Sequence, residues 1–126
     1  MPIDCRIDEE DGIVYTTLTG EVDEDEIVKA LSGIITSPSY RPGLDGLVDL
    51  RGHNATQSSA AVRRIAELMT RHHAEIGHSR AALVVSDELG FGLARMYQAF
   101  AQDSSIETRI FYELAEANDW LGLSDR

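Results

Sequence analysis

Histidines are the first side chains in this 126-residue sequence to test for chemistry, and there are four of them. A zinc-binding helix presents two imidazoles at i and i+4, so that both reach one ion. His72 and His73 are adjacent instead, and adjacent side chains on a helix diverge by about 100°. His78 follows Gly77 in a loop, and His53 precedes the second helical segment. The single cysteine, Cys5, supplies no thiolate set, so surface histidines and no specific metal are expected. The sequence holds no Gly-x-Ser-x-Gly elbow and no phosphate loop ending in Gly-Lys-[Ser/Thr]. With no nucleophile-and-base pair in view either, neither enzymatic activity nor a cofactor is expected. Gly90-Phe91-Gly92 has two readings: close packing of a helix start, or access for a ligand. Glycine inside a helix otherwise costs about 1 kcal/mol relative to alanine.

Position adds more than motif. In open α/β sheets, ligands bind beyond the carboxyl ends of the strands. Two segments here have that placement, Asp49 to Ser59 and Ser86 to Gly92. They gather Asp49, Arg51, His53, Ser86 and Asp87, with Arg95 and Tyr97 one to two turns into the following helix. These residues form a candidate rim for a ligand or partner, although caps and turns alone would produce the same set.

The elements that must hold this rim follow from periodicity. Ile3, Cys5 and Ile7 alternate with polar residues, as in a half-buried strand. Asp11-Gly12 suits a hairpin turn into a second strand from Ile13 to Leu18. Asp23 with Glu26 has capping-box spacing ahead of Ile27, Leu31, Ile34 and Ile35, a helical stripe. Pro38 and Arg41-Pro42-Gly43 end that helix in a loop. Leu47 to Leu50 and Ala81 to Val85 read as buried central strands. Between them, Val62, Ile65, Leu68, Met69 and Ile76 mark one helix ending at Gly77. A third helix, capped by Ser86 or Asp87, a strand at Ile106 to Phe111 and a last helix with Leu114, Ala117 and Leu121 complete the order ββαβαβαβα. No linker or repeat divides the chain, so one domain over residues 1–126 is expected.

Composition narrows the partners. A hydrophobic fraction of 43% with 26% charged residues is that of a globular chain. Lys+Arg 11 against Asp+Glu 22 leaves a net charge of −11, which repels phosphate backbones and anionic membranes. No nucleic-acid partner is expected. Residues 1–50 hold 12 acids and 3 bases, concentrated at Asp8 to Asp11 and at Glu21 with Asp23 to Glu26. These clusters read as a solvated turn and a helix start, where carboxylates suit the positive end of the dipole. No apolar run reaches membrane-spanning length, the N-terminus lacks a secretory pattern, and the lone cysteine fits a reducing compartment. A cytoplasmic location is expected.

Asp49-Leu50-Arg51-Gly52 after a buried strand resembles the Asp-Leu turn leaving the central strand of STAS domains. Val84 to Leu89 running into Gly92 to Tyr97, with Phe111 and Ala117 to Gly122, is similar to the bacterial SpoIIAA-like group of that family. The resemblance covers essentially the whole chain. It implies an α/β, STAS-like domain: a mixed, mostly parallel sheet with an N-terminal antiparallel hairpin and four packed helices. Classical anti-sigma-factor antagonists of the family carry Asp-Ser-[Ser/Thr]-Gly at the helix start after that strand, and phosphorylation of its serine blocks binding to a partner kinase. The matching positions here are Gln57-Ser58-Ser59-Ala60, which keep the serine but not the Asp or the Gly. The resemblance therefore makes Ser58 and Ser59 candidate phosphorylation sites, beside their plain reading as helix-start residues.

The function implied is a non-enzymatic regulatory or protein-interaction domain. The alternative is a carrier or sensor of a small apolar, lipid-like ligand, because the SpoIIAA-like group is allied by fold with the CRAL-TRIO lipid-binding proteins. That alternative needs a cavity under the third helix, near Leu89, Phe91 and Met96, whereas a closed core favours the partner. Phe91, Leu93, Met96, Tyr97 and Phe100 exceed what one helical stripe can bury, so a homodimer is expected to cover the surplus.

Overall fold

The alternation along the first twenty residues closes as an antiparallel hairpin of β1 (Ile3–Asp8) and β2 (Ile13–Gly20). Gly12 makes the turn at a φ of 69°, and its N–H donates to the Asp8 carbonyl at 2.9 Å. The computed structural model describes residues 2–54 and 57–123. After the hairpin come α1 (Glu24–Ile35), β3 (Asp45–His53), α2 (Ser59–Arg71), α3 (His73–Ile76), β4 (Ser79–Val84), α4 (Glu88–Phe100), β5 (Ile106–Phe111) and α5 (Leu114–Leu121). The capping box at α1 is formed: the Glu26 N–H donates to Asp23 Oδ1 at 2.8 Å, and the Asp23 N–H donates to Glu26 Oε1 at 3.3 Å. Asp87 caps α4 by accepting the Gly90 N–H at 2.8 Å.

The five strands stand in the order β1-β2-β3-β4-β5, antiparallel at β1–β2 and parallel thereafter. The hairpin thus occupies one edge, and the segments 47–50 and 81–85 lie inside the sheet, as expected. Because β2 to β5 advance in one direction, right-handed crossovers bring α1, α2 and α4 to the same face. On that face, Ile27 and Leu31 of α1 and Ile65 of α2 pack with Leu18, Val48 and Leu50. Ala94 and Tyr97 of α4 pack with Leu83 and Val85 beside them. The opposite face is covered by α5, whose Ala117 and Leu121 meet Ile13, Leu47, Ala82 and Val84.

One helix departs from the sequence reading. The segment ending at Gly77 is not continuous: α2 stops at His72, and the single turn of α3 follows, giving five helices where four were expected. The chain has to bend here to enter β4. The bend is held because the Gly43 N–H donates to the Ile76 carbonyl at 2.8 Å, drawing α3 onto the 41–43 loop. Gly77 adopts a φ of 68°, and a Cβ there would lie 3.0 Å from Pro42 Cβ, so conformation and space both require glycine.

Arg80 fastens α5 to the sheet. Its guanidinium bonds Asp45 Oδ2 at 3.0 Å, donates to the Trp120 and Leu121 carbonyls, and lies 5.4 Å from the centre of the Trp120 ring. A cation at the C-terminal end of a helix also suits the helix dipole. Leu121, 5% exposed, anchors this layer. Leu121→Ala is expected to cost about 2–5 kcal/mol in urea unfolding. Leu89→Ala, at a residue 62% exposed, is expected to stay within about 0.5 kcal/mol of the parent.

Candidate functional site

Strand pleating decides which side chains meet beneath the three-helix layer. Val14, Gly46, Ala81 and Thr108 are paired across β2 to β5 and so face the same way. Two of these four have almost no side chain, and a Cβ added to Gly46 would meet nothing nearer than the Val14 carbonyl at 4.0 Å. The helices rest on bulkier neighbours, so the row of small residues stays unfilled. A cavity of about 200 Å³ results, lined chiefly by apolar side chains of the sheet and of α1, α2 and α4. Leu31, Ile34, Val62, Ile65, Met69 and Leu93 supply much of its helical wall.

Polar groups at the carboxyl ends of the strands border the same cavity. His53 Nδ1 donates to the Gly20 carbonyl at 3.0 Å, and Nε2 lies 2.9 Å from Gln57 Oε1. Gln57 Nε2 in turn donates to the Val22 carbonyl at 2.6 Å, tying the end of β3 to the entry of α1. Ser86 Oγ donates to the Arg51 carbonyl at 3.1 Å. Thr16, paired with Cys5 across the hairpin, has its hydroxyl 3.2 Å from the Cys5 sulfur, and burial pushes the Cys5 thiol pKa up. Burial also raises the pKa of the Tyr40 hydroxyl, and that of Tyr97 is pushed up to about 12. Both tyrosines line the cavity.

The candidate rim read from sequence is split by the sheet. His53, Ser86, Asp87 and Tyr97 line the cavity. Asp49 pairs with Val84, which faces α5, so Asp49 and its partner Arg51 belong to the opposite side. There the Arg51 guanidinium donates to both Asp49 oxygens, at 2.9 and 2.8 Å. Arg95 is exposed. Ser58 is the N-cap of α2, accepting the Ala61 N–H at 3.1 Å, and Ser59 is the exposed first residue of that helix. Gly90 sits in close packing, since a Cβ would fall 3.1 Å from Asp87 Oδ1 and 3.5 Å from Val85 Cβ.

The apolar residues proposed for the cavity do not line it. Leu89 is exposed, Phe91 stacks on Tyr112 with ring centres 5.6 Å apart, and the Arg63 guanidinium lies 4.8 Å from the centre of the Phe100 ring. Met96, one turn before Phe100, is half-buried. Gly90, Leu93, Ala94 and Tyr97 form the α4 wall instead, because α4 turns that stripe toward the sheet. Phe91, Met96 and Phe100 are each half-buried within the single chain. The sign of the cavity in the sequence is Gly46, since glycine inside a strand often marks a close approach by a ligand. Among the described residues, no three His, Cys, Asp or Glu side chains gather closely enough to hold an ion. Among them, too, no helix is long and apolar enough to cross a membrane.

No family profile and no curated protein matches the chain. Its structure is similar to the crystal structure of an uncharacterized protein of the DUF3478 family with a SpoIIAA-like fold, from Shewanella loihica PV-4. The two share 20% identity over 94% of this chain and 91% of the other, with a TM-score of 0.61. The fold is therefore SpoIIAA-like, in agreement with the resemblance read from sequence.

Hydrogen bonds from Arg51 hold the Asp49 pKa below the ordinary carboxylate value. A depressed folded pKa stabilises the fold above the unfolded pKa of about 3.9, and that contribution fades as pH falls through the folded value. Asp49→Asn is expected to cost up to about 1 kcal/mol near neutral pH, since the pair is partly exposed. The difference should shrink as pH falls below the unfolded value of about 3.9, as read by urea titrations at neutral and acidic pH.

Proposed function

We propose that this domain is a non-enzymatic carrier or sensor of a small apolar molecule held between the sheet and the layer of α1, α2 and α4. The observation behind the reading is the apolar cavity of about 200 Å³ built over the Gly46–Ala81 pair. A closed core would have favoured the partner-binding alternative. An engineered cavity of about 150 Å³ lined by Leu, Ile and Phe holds benzene, so this volume suits a compound slightly larger.

Binding rather than turnover is supported by how the bordering polar groups are engaged. Asp87 caps α4, Ser86 bonds the Arg51 carbonyl, and His53 and Gln57 bond each other and the backbone. A regulatory output would pass through α2 and α4, which pack on one another above the cavity. The expected cytoplasmic setting accords with this role.

Solvent extraction of protein purified from its native host, followed by mass spectrometry, tests the reading. A small apolar compound at near-stoichiometric yield is expected. Gly46→Val, which grows a side chain into the cavity, should lose that compound and stabilise the ligand-free protein by about 0.5–2 kcal/mol. No compound in the extract, and no thermal stabilisation by small aromatic hydrocarbons, would count against the carrier role.

A further inference from the structure

Two tyrosine hydroxyls of the cavity, those of Tyr40 and Tyr97, make no hydrogen bond with any described residue, whereas Thr16, Ser86, His53 and Gln57 have partners. Of the two, Tyr97 is the one whose ring packs with Leu83, Val85 and Ala94 against the sheet. Among the described residues, the sealed side-chain oxygen without a partner is Thr108 Oγ1, which nothing can reach. The Tyr97 side chain is half-buried and its hydroxyl is not sealed, on a residue that lines the cavity. A hydroxyl so placed can donate to an acceptor that a ligand supplies.

We propose that Tyr97 selects the ligand by its polar end: a neutral, mostly apolar molecule with one hydrogen-bond acceptor, such as a ketone, ester or ether oxygen, to which the Tyr97 hydroxyl donates. This rests on the cavity being a ligand site. Size follows from volume, at about eight or nine non-hydrogen atoms when scaled from benzene in about 150 Å³. Neutrality follows from charge. Of the cavity's basic groups among the described residues, Arg80 commits its guanidinium to Asp45 and to the Trp120 and Leu121 carbonyls, and both nitrogens of His53 are engaged. Asp45 and Asp87 border the cavity as well, so a carboxylate would meet like charge and no free cation. At neutral pH the tyrosine is a neutral donor, since its pKa is pushed up to about 12.

Three probes of similar shape separate the possibilities in calorimetric titrations of the full chain: ethylbenzene, acetophenone and benzoate. Acetophenone is expected to bind about three- to tenfold more tightly than ethylbenzene, the worth of one neutral hydrogen bond, with benzoate the weakest. Tyr97→Phe should remove the preference for acetophenone while leaving ethylbenzene affinity within about twofold, and this retained binding shows that the variant is folded. Tyr40→Phe, at the other cavity tyrosine, should keep the preference. Equal binding of ethylbenzene and acetophenone, tightest binding of benzoate, or loss of the preference in Tyr40→Phe rather than Tyr97→Phe would each overturn the assignment while the cavity remains a ligand site. If none of the three binds, the assignment falls together with the carrier reading.

Discussion

A parallel connection between neighbouring strands crosses right-handedly, because a right-twisted strand feeding a right-handed helix packs back onto the sheet only that way. In a sheet ordered β1-β2-β3-β4-β5, every parallel step proceeds in the same direction. All three crossover helices are thereby placed on one face, and the other face depends on the single helix α5. The two sides consequently differ in what they can be. The face under α5 is a sealed core, fixed by Leu121 and by the hydrogen bonds of Arg80 to Asp45 and the helix end. The three-helix face is a layered gap, and its filling depends on the residues the sheet presents to it.

Those residues are uneven. Leu18, Val48, Leu50, Leu83 and Val85 hold the helices up at their contact points. Gly46 and Ala81, side by side, leave a depression between them. Helices are rigid over several turns and cannot sag into a depression one or two residues wide, so the lost volume stays as a cavity. Its polar border at the carboxyl ends of the strands is the usual location of α/β ligand sites, yet here its groups are occupied in joining loops. His53, Gln57 and Val22 link β3 to α1, and Ser86 links β4 to β3. What distinguishes the interior is an apolar wall with two tyrosines, Tyr40 and Tyr97, whose hydroxyls no described residue engages, which suits recognition by shape and few hydrogen bonds.

Acidic character is organised by the same scaffold. Arg64 on α2 bonds Glu24 and Asp25 at the start of α1, so part of the run of carboxylates there joins two helices of the cavity layer. Each pair is substantially exposed, so its effect on stability is small. The contact still links α1 to α2, two of the helices that roof the cavity.

Local chemistry made most of the elements legible in the sequence. The alternation of Ile3, Cys5 and Ile7, the Asp23–Glu26 capping box and the apolar runs at 47–50 and 81–85 are interactions between near neighbours, and they produced the strands and helices that the structure contains. The break at His72 escaped, because it is imposed by the Gly43–Ile76 bond between segments more than thirty residues apart. The site was legible only in part for the same reason. Periodicity identifies a helix's apolar stripe but not the object it faces, so Leu93 and Tyr97 could not be told from Phe91 and Phe100. The pairing of Gly46 with Ala81 is a matter of register between β3 and β4, and register exists only once the sheet has assembled. The sequence by itself determined the order of elements and the end of the sheet where polar loops would gather. Tertiary structure alone decided that Asp49 and Arg51 lie across the sheet from His53 and Tyr97, and that two small residues meet under the helices to leave a cavity.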